Sequence, residues 1–341
     1  MATLIKLDSN ENPFGPSPLA LLAMQSVLAD SSSYPDDDAY ALRQRLAKHH
    51  GVGHDQILVT GGLTEFLGML ARTFLGSGLN AVTSERSFIV YRTATQAAGA
   101  DLIEVPMRQH SYDLRGIAAA VNPDTRILFL ANPNNPTGSV ASADEVDHLV
   151  RQMPEHVVIV LDEAYYEFAA HFAARRGTKY SGSLDYVRDG RNVIVLRTFS
   201  KVHGLAGLRI GYGIANTKLM ARILSQRAVY CVSNIAQAAA LAALDDEAHI
   251  SRAVENNTEQ SEQLAHALSD LGCETVPTWA NFLYCQPGQD ATRFAESLAL
   301  EGIAVRPLGP WGAPQAVRIT IGRPEQNEVL LNALRKTRSE S

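Results

Sequence analysis

Short apolar runs recur along the chain, each followed by a longer stretch with helical spacing. The runs cover residues 57–60, 81–83, 102–105, 127–130, 157–161 and 193–196, where β-branched and aliphatic side chains dominate. Between them, residues 64–75, 91–98 and 144–153 read as helices. Continuous apolar strands separated by helices predict an α/β fold with a mostly parallel sheet, buried on both faces.

The two ends of the chain read differently. Ser17-Pro18 has the form of an N-cap followed by proline at the first helical position, and predicts a helix running to about Asp30. A second helix is expected over 39–50, with Asp38 as its cap and Gly51 as its stop. From residue 216 onward helices prevail, including a long polar one over 247–271. Short strands follow at 281–285, 303–306 and 317–321, and a last helix begins near Pro324. The expected organisation is a large domain over 30–235 and a smaller α+β domain built from 1–29 together with 236–341.

Composition narrows the function classes. With 341 residues and 46% hydrophobic content, the chain has ample material for a core. Thirty basic against thirty-six acidic residues leave a net charge of −6, which argues against a nucleic-acid partner. Cys231, Cys273 and Cys285 are odd in number and form no CxxC pair, so they read as reduced thiols. No apolar run reaches the roughly 18 residues of a membrane helix. The N-terminus lacks the shape of a signal peptide, so the expected location is the cytoplasm, with no membrane partner. The ten histidines show no metal-ligand spacing; His49, His50 and His54 merely cluster near a helix end.

Ligands of open α/β sheets sit beyond the carboxyl ends of the strands, so the residues following each run carry the chemistry. Gly61-Gly62-Leu63-Thr64-Glu65 follows the first run and opens a helix, a form that lets backbone N–H groups approach an anion. By itself this is a common structural turn. Asn132-Pro133-Asn134-Asn135-Pro136-Thr137-Gly138 makes a rigid polar loop. Asp162, directly after an all-apolar run, is expected to be partly buried and to need a cation from the protein or from a ligand. Arg197-Thr198-Phe199-Ser200-Lys201 puts a lysine at a strand end among small residues, with Arg209 eight positions on. An amine, an acid, a tyrosine (Tyr165), an asparagine and an anion cradle on one sheet edge suit pyridoxal phosphate.

These residues make the chain recognisable. It resembles the fold-type I pyridoxal-phosphate aminotransferases, most closely the histidinol-phosphate aminotransferase family. The resemblance runs through Ser9-Asn10-Glu11-Asn12-Pro13-Phe14-Gly15-Pro16, Tyr34-Pro35, the 132–138 loop, Asp162 to Tyr165 and Arg197 to Arg209. It continues through Ala280-Asn281-Phe282, Val305-Arg306-Pro307 and Val317-Arg318-Ile319-Thr320-Ile321-Gly322.

The resemblance implies that Lys201 forms an imine with the cofactor and, once freed, carries a proton. It implies that Asp162 pairs with the pyridine nitrogen and that Tyr165 and Asn135 bond the phenolic oxygen. Tyr91 is implied as the aromatic stacked on the ring. Leu63, Thr64, Thr198, Ser200 and Arg209 are implied to hold the phosphate, together with Tyr34 of a neighbouring copy, which makes the protein a homodimer. Arg306, Arg318, Asn281 and Asn12 are implied to face the substrate. Two departures stand out: Thr64 where relatives usually carry Asp, and Arg86 where they commonly carry Pro. The implied activity is amino transfer between an amino donor and a 2-oxo acid, with histidinol phosphate and 2-oxoglutarate as the expected pair. Aromatic amino acids, or decarboxylation of a phosphorylated amino acid as in threonine-phosphate decarboxylases, are the alternatives. The fold-level rival, a dinucleotide-binding dehydrogenase, finds only the fragment Gly211-Tyr212-Gly213 of its glycine fingerprint.

Overall fold

The computed structural model describes residues 4–339. A seven-stranded sheet forms the larger body. Its strands lie in the order Ile57–Thr60, Gly211–Ala215, Val193–Thr198, Val158–Asp162, Thr125–Ala131, Asn80–Ser84 and Asp101–Val105. All neighbours pair in parallel except Gly211–Ala215, which runs antiparallel to both strands beside it. The five central strands and Ile57–Thr60 are buried along nearly their whole length, because helices cover both faces. Alternate residues of one strand enter opposite cores: Ile159 and Leu161 pack on one side, Val158 and Val160 on the other.

Gly211–Ala215 is the strand that the sequence pattern does not announce. Its glycines are poor strand formers, yet a side chain could not replace them. A Cβ on Gly213 would lie 2.2 Å from the Phe66 ring, and one on Gly211 would lie 3.1 Å from Leu63. Close packing of the helix Leu63–Phe74 on the sheet therefore dictates the composition.

The helix Tyr40–His50 starts as expected but not with the expected cap. Asp36 accepts the N–H of Tyr40 at 2.7 Å, and Ala39 at the cap position is left-handed with φ 46°. Asp38 instead lies 3.7 Å from both Arg43 and Arg227. The backbone turn at Ala39 carries the aspartate one turn back into the capping position.

The second body is a four-stranded antiparallel sheet, ordered Arg306–Leu308, Ala313–Thr320, Phe282–Gln286 and Glu274–Thr275. Glu247–Asp270, Ala291–Leu300 and Pro324–Ser339 are its helices, and its core includes Leu264, Phe294, Leu298 and Ile319. The N-terminal strand Ile5–Lys6 joins this body by pairing in parallel with Ile303–Ala304. Two helices of the flanking segments sit elsewhere. Ala20 of Pro18–Val27 and Ala236, Ala239, Ala240 and Ala243 of Asn234–Ala243 share a core cluster with the strands of the large sheet.

Candidate active site

The carboxyl ends of the parallel strands, the turn Gly61-Gly62 and an N-terminal segment surround a cavity of about 250 Å³. Nine of the expected site residues line it: Leu63, Thr64, Asn135, Asp162, Tyr165, Thr198, Ser200, Lys201 and Arg209. They come from five separate stretches of chain, which only the sheet brings together.

At one end stands the first turn of Leu63–Phe74, whose N-cap Gly62 has φ 92° and offers no side-chain cap. The N–H groups of Leu63 and Thr64 have no carbonyl within the helix to bond. Arg209 faces this turn from its own left-handed position, φ 52°. A Cβ on Gly62 would lie 2.6 Å from Arg209 Nη2, so only glycine lets the guanidinium and the helix terminus share the space. Ser200 Oγ accepts from Arg209 Nη1 at 3.4 Å, and Thr198 lies on the same wall. Helix terminus, guanidinium and hydroxyls together form a cradle for a dianion.

At the other end lie Asp162 and Lys201. Asp162 is buried, accepting the hydroxyl of Tyr91 at 2.9 Å and the N–H of Ala164 at 3.2 Å. Burial pushes its carboxyl up to about 6, against the downward pull of those two hydrogen bonds. Lys201 Nζ reaches the carbonyl of Ser9 at 3.3 Å and lies 5.6 Å from the centre of the Tyr165 ring. Burial lowers its ammonium to about 7, and Arg318 and Arg209 push in the same direction while Glu11 and Asp162 oppose them. An amine that loses its proton near neutrality is a nucleophile and a proton carrier at once.

Not every expected residue faces this space. The Tyr91 ring stacks on Phe129, centroids 4.7 Å apart and planes within 4°, and only its hydroxyl reaches toward the site, through Asp162. Phe88, three positions earlier and outside the expected set, lines the cavity instead, alongside Tyr165. Asn12 does not point into the cavity: its amide donates to the carbonyl of Val202 at 2.6 Å and accepts the N–H of Phe14 at 2.9 Å. Asn281 donates to the carbonyl of Asn10 at 3.0 Å, again holding the N-terminal segment. Arg318 is buried behind Asn135, donating to its Oδ1 at 2.6 Å and to the carbonyl of Asp8 at 2.8 Å. Arg306 pairs with Asp8 at 3.0 Å. Tyr34 is 81% exposed and stacks on Tyr230, centroids 4.5 Å apart, away from this chain's own cavity.

The N-terminal segment contributes more than the sequence pattern reveals. Ser9 and Glu11 line the cavity, and Asn10 between them bonds Tyr165. Gly204 passes so close to this segment that a Cβ would lie 2.0 Å from the carbonyl of Gly15. Beneath the site, Glu163 and Arg197 form a buried ion pair at 2.9 Å, with the guanidinium 3.4 Å above the Tyr166 ring.

Residues 2–334 match the family model of class I and II aminotransferases. The chain belongs to the histidinol-phosphate aminotransferase family of that class. Over 336 residues it is 41% identical to histidinol-phosphate aminotransferase 2 of Pseudomonas fluorescens strain Pf0-1, covering 98% of this chain and 89% of the relative. The histidinol-phosphate aminotransferase of Sinorhizobium meliloti, solved with pyridoxal 5′-phosphate, superposes with a TM-score of 0.91 at 30% identity, covering 99% and 92% of the two chains. L-threonine-O-3-phosphate decarboxylase of Porphyromonas gingivalis shares the fold with a TM-score of 0.86 at 26% identity, covering 99% of this chain and all of the other (100%).

As a member of this family the protein is a pyridoxal-phosphate-dependent aminotransferase. The residues present fit the cofactor: a dianion cradle lies at one end of the cavity, and at the other a buried carboxylate whose hydrogen bonds come from neutral donors only. Bound pyridoxal phosphate supplies an aldehyde for amine exchange and a cationic ring that withdraws electrons from the substrate carbon.

Proposed function

We propose that the protein transfers the amino group of histidinol phosphate to 2-oxoglutarate. With pyridoxal phosphate bound, Lys201 Nζ would be the amine that holds its aldehyde carbon and the base that moves the proton released from the substrate carbon. Its lowered proton affinity supports that task at neutral pH. Asp162 keeps the pyridine nitrogen protonated, and Tyr165 and Asn135 donate to the phenolic oxygen. Asn135 Oδ1 is taken by Arg318, which leaves its Nδ2 as the donor. Leu63, Thr64, Thr198, Ser200 and Arg209 would hold the cofactor phosphate, and Phe88 lines the same cavity where Tyr91 does not.

The observation that carries the substrate reading is Arg318: a guanidinium buried behind the cavity wall, fixed by Asn135 and Asp8, with Nε still without a partner. Arg318 does not line the cavity as it stands; a ligand phosphate or carboxylate that displaces Asn135 would meet its guanidinium, and Arg306 adds a second cation on the adjacent strand, opposite Arg318. The 41% identity to a curated histidinol-phosphate aminotransferase supports the phosphorylated donor.

The active unit is a homodimer. Leu19, Leu21, Leu22 and Leu28 on one stretch of chain leave apolar side chains exposed, as do Val229 and the stacked pair Tyr34 and Tyr230 where residues 30–37 meet 227–234. Such a patch calls for a partner surface, and Tyr34 is then offered to the neighbouring copy's phosphate cradle. The enzyme is assigned to the cytoplasm in this reading; among the described residues no helix is long and apolar enough to cross a membrane.

A side-by-side assay of histidinol phosphate, phenylalanine and tyrosine, each with 2-oxoglutarate, tests the reading. The largest kcat/KM is expected for histidinol phosphate. A larger value for an aromatic donor, or release of carbon dioxide from a phosphorylated amino acid, overturns it.

A further inference from the structure

Asn10 is almost completely buried between the two bodies, and its backbone is left-handed, φ 56°, a conformation asparagine adopts more readily than most residues. Its main chain is held from the smaller sheet. The N–H donates to Thr320 Oγ1 at 2.9 Å, and the carbonyl accepts from Asn281 Nδ2 at 3.0 Å. Thr320 Oγ1 also lies 3.3 Å from Asn10 Oδ1. Among the described residues Asn10 Oδ1 is the one acceptor in reach of the Thr320 hydroxyl proton, so that proton goes to Oδ1. The amide orientation follows: Oδ1 faces Thr320, and Nδ2 faces Tyr165, donating to Oη at 2.9 Å.

An amide nitrogen only donates, so the Tyr165 oxygen accepts on this side. Among the described residues Asn10 is the one hydrogen-bond partner of that hydroxyl. The phenol proton is left to point into the cavity that Tyr165 lines. We propose that Asn10 is a positioning residue that sets the polarity of Tyr165: by occupying one side of its oxygen, it commits the phenol to donate to an anionic ligand oxygen in the cavity. The commitment depends on both bodies, since Thr320 lies in the smaller sheet and Asn281 directly precedes one of its strands, while Tyr165 follows a strand of the larger one. Burial raises Tyr165 to about 12, with Arg318 and the Asn10 hydrogen bond pulling the other way, so the phenol keeps its proton throughout the working range. This proposal rests on the reading that Tyr165 faces the cofactor's phenolic oxygen.

The test is a pH titration of the visible absorption band of the cofactor-loaded enzyme, with thermal stability measured alongside. Tyr165 donating to the phenolic oxygen stabilises its negative charge. Weakening that donor lets the neighbouring nitrogen, shared with Lys201, keep its proton to higher pH. Tyr165→Phe is expected to raise the midpoint by about 0.5–1 unit, the worth of one hydrogen bond. Asn10→Asp, equal in size, is expected to raise it at least as much, because the carboxylate accepts the phenol's hydrogen bond and its negative charge favours the protonated nitrogen. Asn10→Gly keeps the left-handed backbone and is expected to raise it part of the way. A midpoint unmoved in both Asn10 variants, with stability alone reduced, overturns the proposal if Tyr165→Phe moves it. If Tyr165→Phe leaves the midpoint in place, the underlying reading of Tyr165 fails and the proposal falls with it. Should Asn10→Gly not fold, Asn10→Asp decides alone.

Discussion

Asp162 and Glu163 are consecutive residues at the end of one strand, both buried, yet their surroundings are opposite. Glu163 is met by the protein's own cation: Arg197 donates to its Oε2 through both Nε, at 3.1 Å, and Nη2, at 2.9 Å. Asp162 is met by a phenol and a backbone N–H, and its carboxyl titrates near 6. A buried acid that the fold needs is paired within the fold. A buried acid left with neutral donors, beside a lysine lowered to about 7, waits for a charge that arrives with a ligand. In a sheet with its active site at the strand ends, alternation of side-chain direction lets one dipeptide serve both purposes.

Substitutions can break this contrast from either side. Asp162→Asn keeps the size and the bond from Tyr91, and is expected to lower kcat by about 100- to 1,000-fold while the cofactor-free protein stays as stable as wild type or becomes more so. Steady-state kinetics with thermal unfolding of the cofactor-free protein check both halves. Glu163→Gln should behave in the reverse way. It removes the carboxylate in ion-pair contact with buried Arg197 and leaves only the more distant Glu167, an expected loss of about 3–5 kcal/mol in denaturant unfolding, whereas kcat of the folded fraction falls less than about tenfold.

The lysine sharpens the comparison through pH. A folded-state value of about 7, below the ordinary 10.5, means that the unfolded chain binds the proton more tightly. The stability of the cofactor-free protein therefore rises with pH between about 7 and 10, and Lys201→Met is expected to flatten that rise in unfolding titrations. Asp162 contributes the opposite slope: its folded value lies above the ordinary 3.8, so its stabilising share is present below about 4 and is lost as pH rises through about 6. The smallest expected effect is that of Tyr91→Phe. Losing a hydrogen bond that favours the charged form moves the acid limb of the kcat profile upward by a fraction of a pH unit, with little change at the plateau.

The contrast was half legible in the chain. Alternating apolar runs and helices give the buried parallel sheet, and the residues after each run include nine that the cavity collects. An acid behind an apolar run visibly needs a partner, but sequence does not say which of two adjacent acids receives Arg197. Facing is the recurrent blind spot. Phe88 and Tyr91 stand three residues apart, and only the turn into the helix Val90–Ala97 decides that the first meets the cavity and the second packs on Phe129. Asn10 and Asn12 lie in one motif, yet the left-handed backbone at Asn10 aims its amide at Tyr165, while Asn12 is used up on Val202 and Phe14. The strand Gly211–Ala215 hid for another reason: its glycines answer to Phe66 and Leu63, contacts that no local pattern encodes.

The central claim is that Asp162 has, among the described residues, no protein cation in ion-pair contact and receives one from the bound cofactor. Its carboxyl can be followed directly by NMR, with carbon-13-labelled aspartate and Asp162→Asn to assign the signal, in cofactor-free and loaded protein. A midpoint near 6 in the free protein, falling below the ordinary 3.8 on loading, is the predicted result. A midpoint that stays where it was after the cofactor binds would contradict it.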